Sequence, residues 1–85
     1  MLKIQYTGNG GAELTVSGRL QADNLGELAD SLERLGRPVV LDLKDLILAD
    51  EDAVHLLCAC ERDGVVLRHC PRYIRTWMAR VRSRS

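Results

Sequence analysis

The histidines and cysteines of the sequence could bind a metal or take part in redox chemistry: His55, Cys58, Cys60, His69 and Cys70. A structural zinc site needs four ligands in a tetrahedron, commonly supplied by Cys-x-x-Cys pairs, and the sequence contains no such pair. If the segment around Cys58 is helical, Cys58 and Cys60 point about 200° apart around the axis and cannot hold one ion together. His55 and Cys58 share a face but provide only two ligands. We therefore expect structural cysteines and no metal site.

Cys70 differs from the other cysteines because it comes just before a predicted helix. The positive end of a helix dipole lowers the pKa of a nearby thiol and makes it more reactive. No partner base is evident nearby in the sequence, so we expect a structural cysteine here too and keep a reactive thiol at Cys70 as the alternative. Three cysteines are an odd number, which excludes a complete set of intrachain disulfides and favours reduced thiols.

Three consecutive acids, Asp50, Glu51 and Asp52, follow an apolar run and precede a helical pattern. Negative charge at a helix N-terminus stabilises it by about 0.3–1 kcal/mol for each exposed group, so capping explains part of the run. Adjacent acids repel one another, and capping alone does not require all three. The excess favours recognition of a basic surface on a partner, and the two interpretations are compatible.

Charge is unevenly distributed along the chain although the net charge is zero. Residues 21–63 carry a net charge of −7, whereas residues 64–85 contain six arginines and no acid. Such arginines usually form a solvated face, complement a helix C-terminus, or pair with acids of the same or another chain. Binding of nucleic acid or another anionic surface is the remaining alternative, which a neutral chain with few aromatic residues disfavours.

Residue constellations typical of enzymes are missing from the sequence. It contains no Walker loop and no Gly-x-Gly-x-x-Gly segment, and no Ser-His-Asp arrangement can be assembled. The glycine cluster at residues 8–11 is a weak phosphate loop because it joins two predicted strands rather than a strand and a helix. We therefore predict a protein that is not an enzyme and binds no cofactor.

Hydrophobic periodicity predicts seven elements in the order β-β-α-β-α-β-α. Alternating apolar residues at 2–7 and 12–17, on either side of the glycine cluster, are typical of a β-hairpin. Residues 39–43 and 65–68 are short apolar runs typical of strands buried in a parallel sheet. Strand–helix–strand units require parallel pairing and right-handed crossovers. We therefore expect an α/β fold with a small mixed, mostly parallel sheet of about four strands and helices packed on it.

Three amphipathic segments predict the helices. The first has Asp23 as its N-cap and is ended by Gly36 and Pro38, and the second covers about residues 50–62. The third opens with Pro71 at its first position. Its apolar stripe consists of Tyr73, Ile74, Trp77, Met78 and Val81. We expect Trp77 to be the main anchor of this helix, and any exposed part of the stripe to form a homodimer surface.

Length and composition indicate one domain, residues 1–85, with residues 83–85 expected to fray. Hydrophobic residues make up 46% and charged residues 28%, which is too apolar and too balanced for a disordered chain. No stretch approaches the roughly 18–20 apolar residues of a membrane span. The N-terminal residues lack the pattern of a signal peptide. A cytoplasmic location without membrane insertion is therefore the expectation.

Most of the chain resembles the STAS domain, which occurs in anti-sigma-factor antagonists and in sulfate-transporter tails. The resemblance rests on Gly18-Arg19-Leu20 before the first helix, on the strand at residues 39–43, and on the loop after Leu46-Ile47-Leu48. The rest of the chain resembles small bacterial STAS-like proteins that end after one further helix. The family implies a sheet with helices beside it, no cofactor and no catalysis. It also implies a partner-binding surface at the loop and N-terminus of the second helix.

In regulatory members of that family the loop reads Asp-Ser-Ser-Gly or similar, and a kinase partner phosphorylates a serine there. Aligned on Asp50, this chain has Glu51 and Asp52 at the hydroxyl positions and Ala53 at the glycine position. A glutamate cannot accept a phosphoryl group as a serine does, and its single charge only roughly imitates a phosphate. We therefore expect no phosphorylation switch at this loop.

The resemblance predicts a bacterial protein–protein interaction module with a role in signalling or regulation. Its expected partner-binding residues come from two segments, one before the first helix and one before the second: Arg19, Gln21 and Asn24, and Asp50, Glu51, Asp52 and Ala53. The implied partner is a protein, either an anti-sigma-type kinase or the ATPase subunit of a transporter. An accessory subunit of such a transporter is one alternative function. Binding to an anionic surface or nucleic acid through the C-terminal arginines is another.

Overall fold

A computed structural model describes residues 2–7, 13–35 and 40–84 of the chain. Its elements follow in the order β1 (Leu2–Thr7), β2 (Glu13–Leu20), α1 (Leu25–Leu35), β3 (Val40–Asp42), β4 (Leu46–Ala49), α2 (Glu51–Arg62), β5 (Val66–Arg68) and α3 (Arg72–Arg84). The predicted turn at residues 8–11, the helix stop at Gly36 and Pro38, and residues 39 and 85 lie outside the described residues.

The fold is mixed α/β with a five-stranded, mostly parallel sheet and three helices, as the sequence predicts. β1 pairs antiparallel with β2, and the other pairings, β2 with β3, β2 with β4, and β3 with β5, are parallel. The arrangement is compatible with the STAS-like architecture.

The sequence analysis missed β4 as a separate strand. β3 pairs with β2 at residues 13–15, and β4 pairs with β2 from Gly18 onwards. The two therefore lie one after the other along the same edge of β2, so the sheet is four strands wide beside β3 and narrower beside β4. The break between them is a turn in which the Leu46 N–H donates to the Leu43 carbonyl at 3.1 Å. β2 itself continues to Leu20, three residues beyond the alternation at residues 12–17 that predicted it.

The core lies between the sheet and the helices and consists mainly of aliphatic side chains. Alternation along β2 buries Leu14 and Val16, while the residues between them are only half-buried. The helices contribute fully buried side chains to the same cluster: Leu28 from α1, Val54 and Leu57 from α2, and Ile74 and Met78 from α3. Each fully buried leucine or isoleucine contributes about 1.5–3 kcal/mol to stability relative to an exposed position.

α3 packs on α2 rather than directly on the sheet's centre, and its anchors differ from the prediction. Ile74 and Met78 are its fully buried residues, whereas Trp77 is only partly buried at the edge of the core. The Cys58 thiol of α2 lies 3.8 Å from the Met78 carbonyl of α3, to which it donates. Trp77 is therefore not the main anchor, because Ile74 and Met78 occupy the face of α3 that enters the core.

Two further predictions about helix ends were wrong by one position. α1 begins at Leu25, so Asn24 rather than Asp23 precedes its first residue. α3 begins at Arg72, and the Pro71 carbonyl just before it accepts a hydrogen bond from the Arg75 N–H at 3.0 Å. α3 extends to Arg84, and the fraying expected at the end of the chain stays a prediction.

Within the part of the chain that the structure describes, none of the helices has both the length and the apolar character needed to cross a membrane.

Candidate functional site

Asp50 joins the two segments in which the sequence analysis placed its partner-binding residues. It is the N-cap of α2, with an extended backbone, and its Oδ1 accepts a hydrogen bond from the Ala53 N–H at 2.9 Å. Its Oδ2 accepts a second one from the Ala22 N–H at 2.8 Å, from a residue 28 positions earlier in the chain. Both carboxylate oxygens therefore bind backbone within the protein. Asp50 therefore stabilises the conformation of the site, and its carboxylate is less available to a partner.

The segment before α1 is a compact turn closed by Asn24. The Asn24 side-chain oxygen accepts from the Gln21 N–H at 2.8 Å, and its amide nitrogen donates to the Arg19 carbonyl at 2.8 Å. Its backbone N–H also donates to the Gln21 carbonyl at 2.9 Å. Asn24 therefore acts on its own turn, while the Arg19 side chain at the end of β2 is exposed.

A glycine is required where β2 passes from β3 to β4. Gly18 has a φ of 92°, which a residue with a side chain rarely adopts. The register of β2 with β4 shifts between Gly18 and Arg19, and the Gly18 N–H donates to the Asp45 carbonyl at 3.2 Å. This bulge sets the direction of the last residues of β2 beside the loop that carries Asp50.

Glu51 and Asp52 are the exposed acids of the site. Both lie in the first turn of α2, and no lysine, arginine or histidine among the described residues forms an ion pair with either. Ala53, by contrast, is fully buried in the core, so its side chain is not part of the surface. The structure thus brings the predicted residues together in space, with Arg19, Glu51 and Asp52 as the exposed ones and Asp50, Ala53 and Asn24 as supports.

Two exposed apolar side chains precede these acids in the chain, and the sequence analysis did not identify them as part of a site. Ile47 and Leu48 of β4 are 71% and 39% exposed. The Tyr73 hydroxyl of α3 donates to the Ile47 carbonyl at 3.0 Å, which ties the start of α3 to β4. The sequence shows these residues as an apolar run directly before the acids. Whether their side chains are exposed depends on which strands lie beside β4.

A second polar arrangement lies at the ends of β3 and β5. Asp42 is a buried charged residue, and its Oδ1 accepts from the Lys44 N–H at 3.0 Å and lies 3.1 Å from Nδ1 of His69. Burial alone would raise the pKa of Asp42, but the hydrogen bonds from Lys44 and His69, with their charges, hold it below its usual value. His69 adopts a φ of 55°, uncommon for a residue other than glycine.

The cysteines are distributed as the sequence analysis expected, with one difference. Cys58 and Cys60 are buried and Cys70 is half-buried, all three as free thiols. Burial raises the pKa of Cys60, with Asp63 adding to the effect. Burial also raises the pKa of Cys70, against the opposing charge of Arg75. That direction is opposite to the one expected for a thiol just before a helix, and the reactivity of Cys70 stays a prediction.

No group of three or more His, Cys, Asp and Glu side chains in the described ranges is placed to hold a metal ion.

Five of the six C-terminal arginines can be sorted by whether they form an ion pair within the chain. Three of them form ion pairs within the chain: Arg68 with Glu13 at 3.2 Å, Arg75 with Glu61 at 2.8 Å, and Arg82 with the other carboxylate oxygen of Glu61. Arg72 and Arg80 form no ion pair with any described acid. Pairing with acids of the same chain, one of the alternatives for this run, therefore accounts for part of it.

No model of a known protein family matches the chain, and no curated protein matches it either.

Proposed function

We propose that this protein is a non-enzymatic, STAS-like interaction domain that binds a protein partner through the acidic N-terminus of α2. The observation that carries the proposal is the contrast between Asp50 and the two acids after it. Asp50 uses both carboxylate oxygens to fix the loop, while Glu51 and Asp52 are exposed and without ion pairs among the described residues. A fixed loop that presents free charge binds with little loss of conformational entropy.

The chemistry of the surface indicates the chemistry of the partner. Two carboxylates at the N-terminus of a helix, next to the exposed side chains of Ile47 and Leu48, fit a basic patch that borders an apolar one. An anti-sigma-type kinase or the ATPase subunit of a transporter, acting in a bacterial cytoplasm, is the class of partner that the sequence resemblance implies. Because Glu51 and Asp52 replace the family's serines, this binding is not switched by phosphorylation at the loop.

A pull-down that compares two variants of the protein tests this proposal. The full chain is immobilised, the bound partner is identified by mass spectrometry, and its recovery is compared between the wild type and the double variant Glu51→Ala/Asp52→Ala. We expect recovery to fall at least about tenfold, since losing two interfacial charges costs on the order of 1–3 kcal/mol. Asp50 is left unchanged, so that the loop keeps its conformation.

The matched control is Asp30→Ala/Glu33→Ala, which removes the same charge from the exposed face of α1. It should retain the partner at the wild-type level. Equal recovery by the wild type and the Glu51→Ala/Asp52→Ala variant would rule out this surface. Release of a small-molecule product by the purified protein would overturn the non-enzymatic assignment.

A further inference from the structure

α3 presents a second surface, which we call the α3 groove. It is a depression of about 540 Å³ lined by Arg72, Tyr73, Thr76, Trp77 and Arg80. A neighbouring depression of about 380 Å³, lined by Glu51, Trp77, Arg80, Val81 and Ser83, shares two of these residues. Trp77 and Arg80 therefore stand between the two depressions, each able to contact an occupant of either one.

The cations of the α3 groove are the ones that the protein does not use internally. Arg75 and Arg82 face α2 and share Glu61, whereas Arg72 and Arg80 form no ion pair with a described acid. Arg80 follows Arg72 by eight positions, which corresponds to a rise of about 12 Å along the helix axis. Two free guanidinium groups thus border an aromatic floor formed by Tyr73 and Trp77.

The residue types match those that dominate binding energy in protein interfaces. Tryptophan, tyrosine and arginine are the side chains most enriched among such residues. Tyr73 is 47% exposed, and its hydroxyl joins it to Ile47, which is itself 71% exposed. Tyr73 therefore connects the aromatic side chains of the α3 groove to β4, at the point where the Ile47 side chain is exposed.

We propose that the α3 groove binds an acidic, amphipathic helical segment of a protein partner. One apolar side chain of that segment lies over Trp77, and two carboxylates about eight residues apart pair with Arg72 and Arg80. A nucleic acid fits less well, because only Arg72 and Arg80 line the groove as cations and the chain as a whole carries no net positive charge. Glu51 lines the neighbouring depression, so the α3 groove adjoins the acidic loop of the proposed function but takes a partner of opposite charge.

Trp77 supplies the test, because it is the only tryptophan of the chain. The full-length protein is titrated with a synthetic helical peptide that carries glutamates at positions 1 and 9 and leucines between them on the same face. We expect a saturable shift of Trp77 emission to shorter wavelength. The variant Arg72→Glu/Arg80→Glu should bind this peptide at least about tenfold more weakly, since two attractive pairs become repulsive.

Two controls separate this effect from unfolding and from net charge. Arg34→Glu/Arg62→Glu makes the same change of charge at exposed sites on α1 and α2 and should bind the peptide like the wild type. A peptide with lysines at positions 1 and 9 should bind the Arg72→Glu/Arg80→Glu variant better than it binds the wild type. This reversal of preference cannot arise from a variant that fails to fold.

Three results would overturn the proposal. The first is unchanged Trp77 emission at peptide concentrations up to about 1 mM, the weakest affinity expected of a specific contact. The second is tighter, strongly salt-dependent binding of a single-stranded oligonucleotide that the Arg72→Glu/Arg80→Glu variant loses. The third is concentration-dependent dimerisation in sedimentation experiments, abolished by the same variant, which would assign the groove to a second copy of the chain.

Discussion

At the scale of single residues, Asp50 shows how one carboxylate can serve both a helix and a distant loop. It caps α2 through the Ala53 N–H and binds the Ala22 N–H of the turn before α1. Capping is a local property of the sequence, whereas the bond to Ala22 exists only because β2 and β4 lie side by side. The charge that remains for a partner is therefore that of Glu51 and Asp52.

Asp50→Ala should lower the free energy of unfolding by about 1–3 kcal/mol, because it removes an N-cap and leaves the Ala22 N–H without its acceptor. Urea denaturation followed by Trp77 fluorescence measures the change. Glu51→Ala is the matched control and should stay within about 0.5 kcal/mol of the wild type, since its side chain is exposed. Equal effects of the two substitutions would contradict the assignment of Asp50 as the structural acid.

Asp42 predicts a dependence of stability on pH. Its pKa is lowered in the folded protein, against an ordinary value of 3.8, so the unfolded chain binds this proton at higher pH. The stabilisation is complete above the ordinary value and is lost as the pH falls through the folded pKa. Urea midpoints measured between about pH 6 and pH 2 should therefore show a stability difference between wild type and Asp42→Asn that shrinks at the acid end. A difference independent of pH would contradict the prediction.

At the scale of elements, α2 and α3 are joined by apolar packing and by one shared acid. Glu61 of α2 pairs with Arg75 and Arg82 of α3, which lie seven positions, or about two helical turns, apart. The sequence shows six arginines near the C-terminus with equal status, and the crossing of the two helices selects which of them meet Glu61. The arginines on the other side, Arg72 and Arg80, are left for a partner.

Glu61→Gln should lower the free energy of unfolding by about 1 kcal/mol at low salt, because it discharges a partly exposed group between two cations. In about 1 M salt the Debye length falls to about 3 Å, and the effect should become smaller. Thermal denaturation at two salt concentrations measures both. Glu33→Gln, on the exposed face of α1, is the control and should change stability little at either concentration. An effect of Glu61→Gln that ignores salt would show that charge is not its cause.

At the scale of the whole molecule, stability depends on one aliphatic core shared by the sheet and the three helices. Such a domain has a total stability of about 5–15 kcal/mol, so one large cavity removes much of it. Leu57 is fully buried at the centre of this core, whereas Val66 on the edge strand β5 is 54% exposed. Substitutions at these two residues therefore compare a buried hydrophobic side chain with an exposed one.

Leu57→Ala should lower the free energy of unfolding by about 2–5 kcal/mol through lost burial and the cavity left behind. Val66→Ala should cost less than about 1 kcal/mol, because its side chain is largely in water in both states. Urea denaturation followed by circular dichroism measures both. Similar losses in the two variants would contradict the position of the core.

The local elements could be predicted because they follow from spacing along the chain. The alternation of β1, the apolar face of α2 and the acids at its start depend on neighbouring residues alone. β4 was missed because it follows β3 after only three residues, and only its pairing with β2 makes it a separate strand. Ends of helices moved by one or two positions, where local preferences are nearly equal.

The candidate site also combines features that follow from the local sequence with features that depend on tertiary packing. The sequence by itself determined the fold class, the acidic start of α2 and the supply of arginines, because each depends on composition or periodicity. Only the tertiary structure decided that Asp50 is an internal support, that Glu61 pairs with both Arg75 and Arg82, and that His69 contacts Asp42. These contacts join residues between 14 and 28 positions apart in the chain. Which of them form depends on the packing of strands and helices, a property that no single stretch of the chain contains.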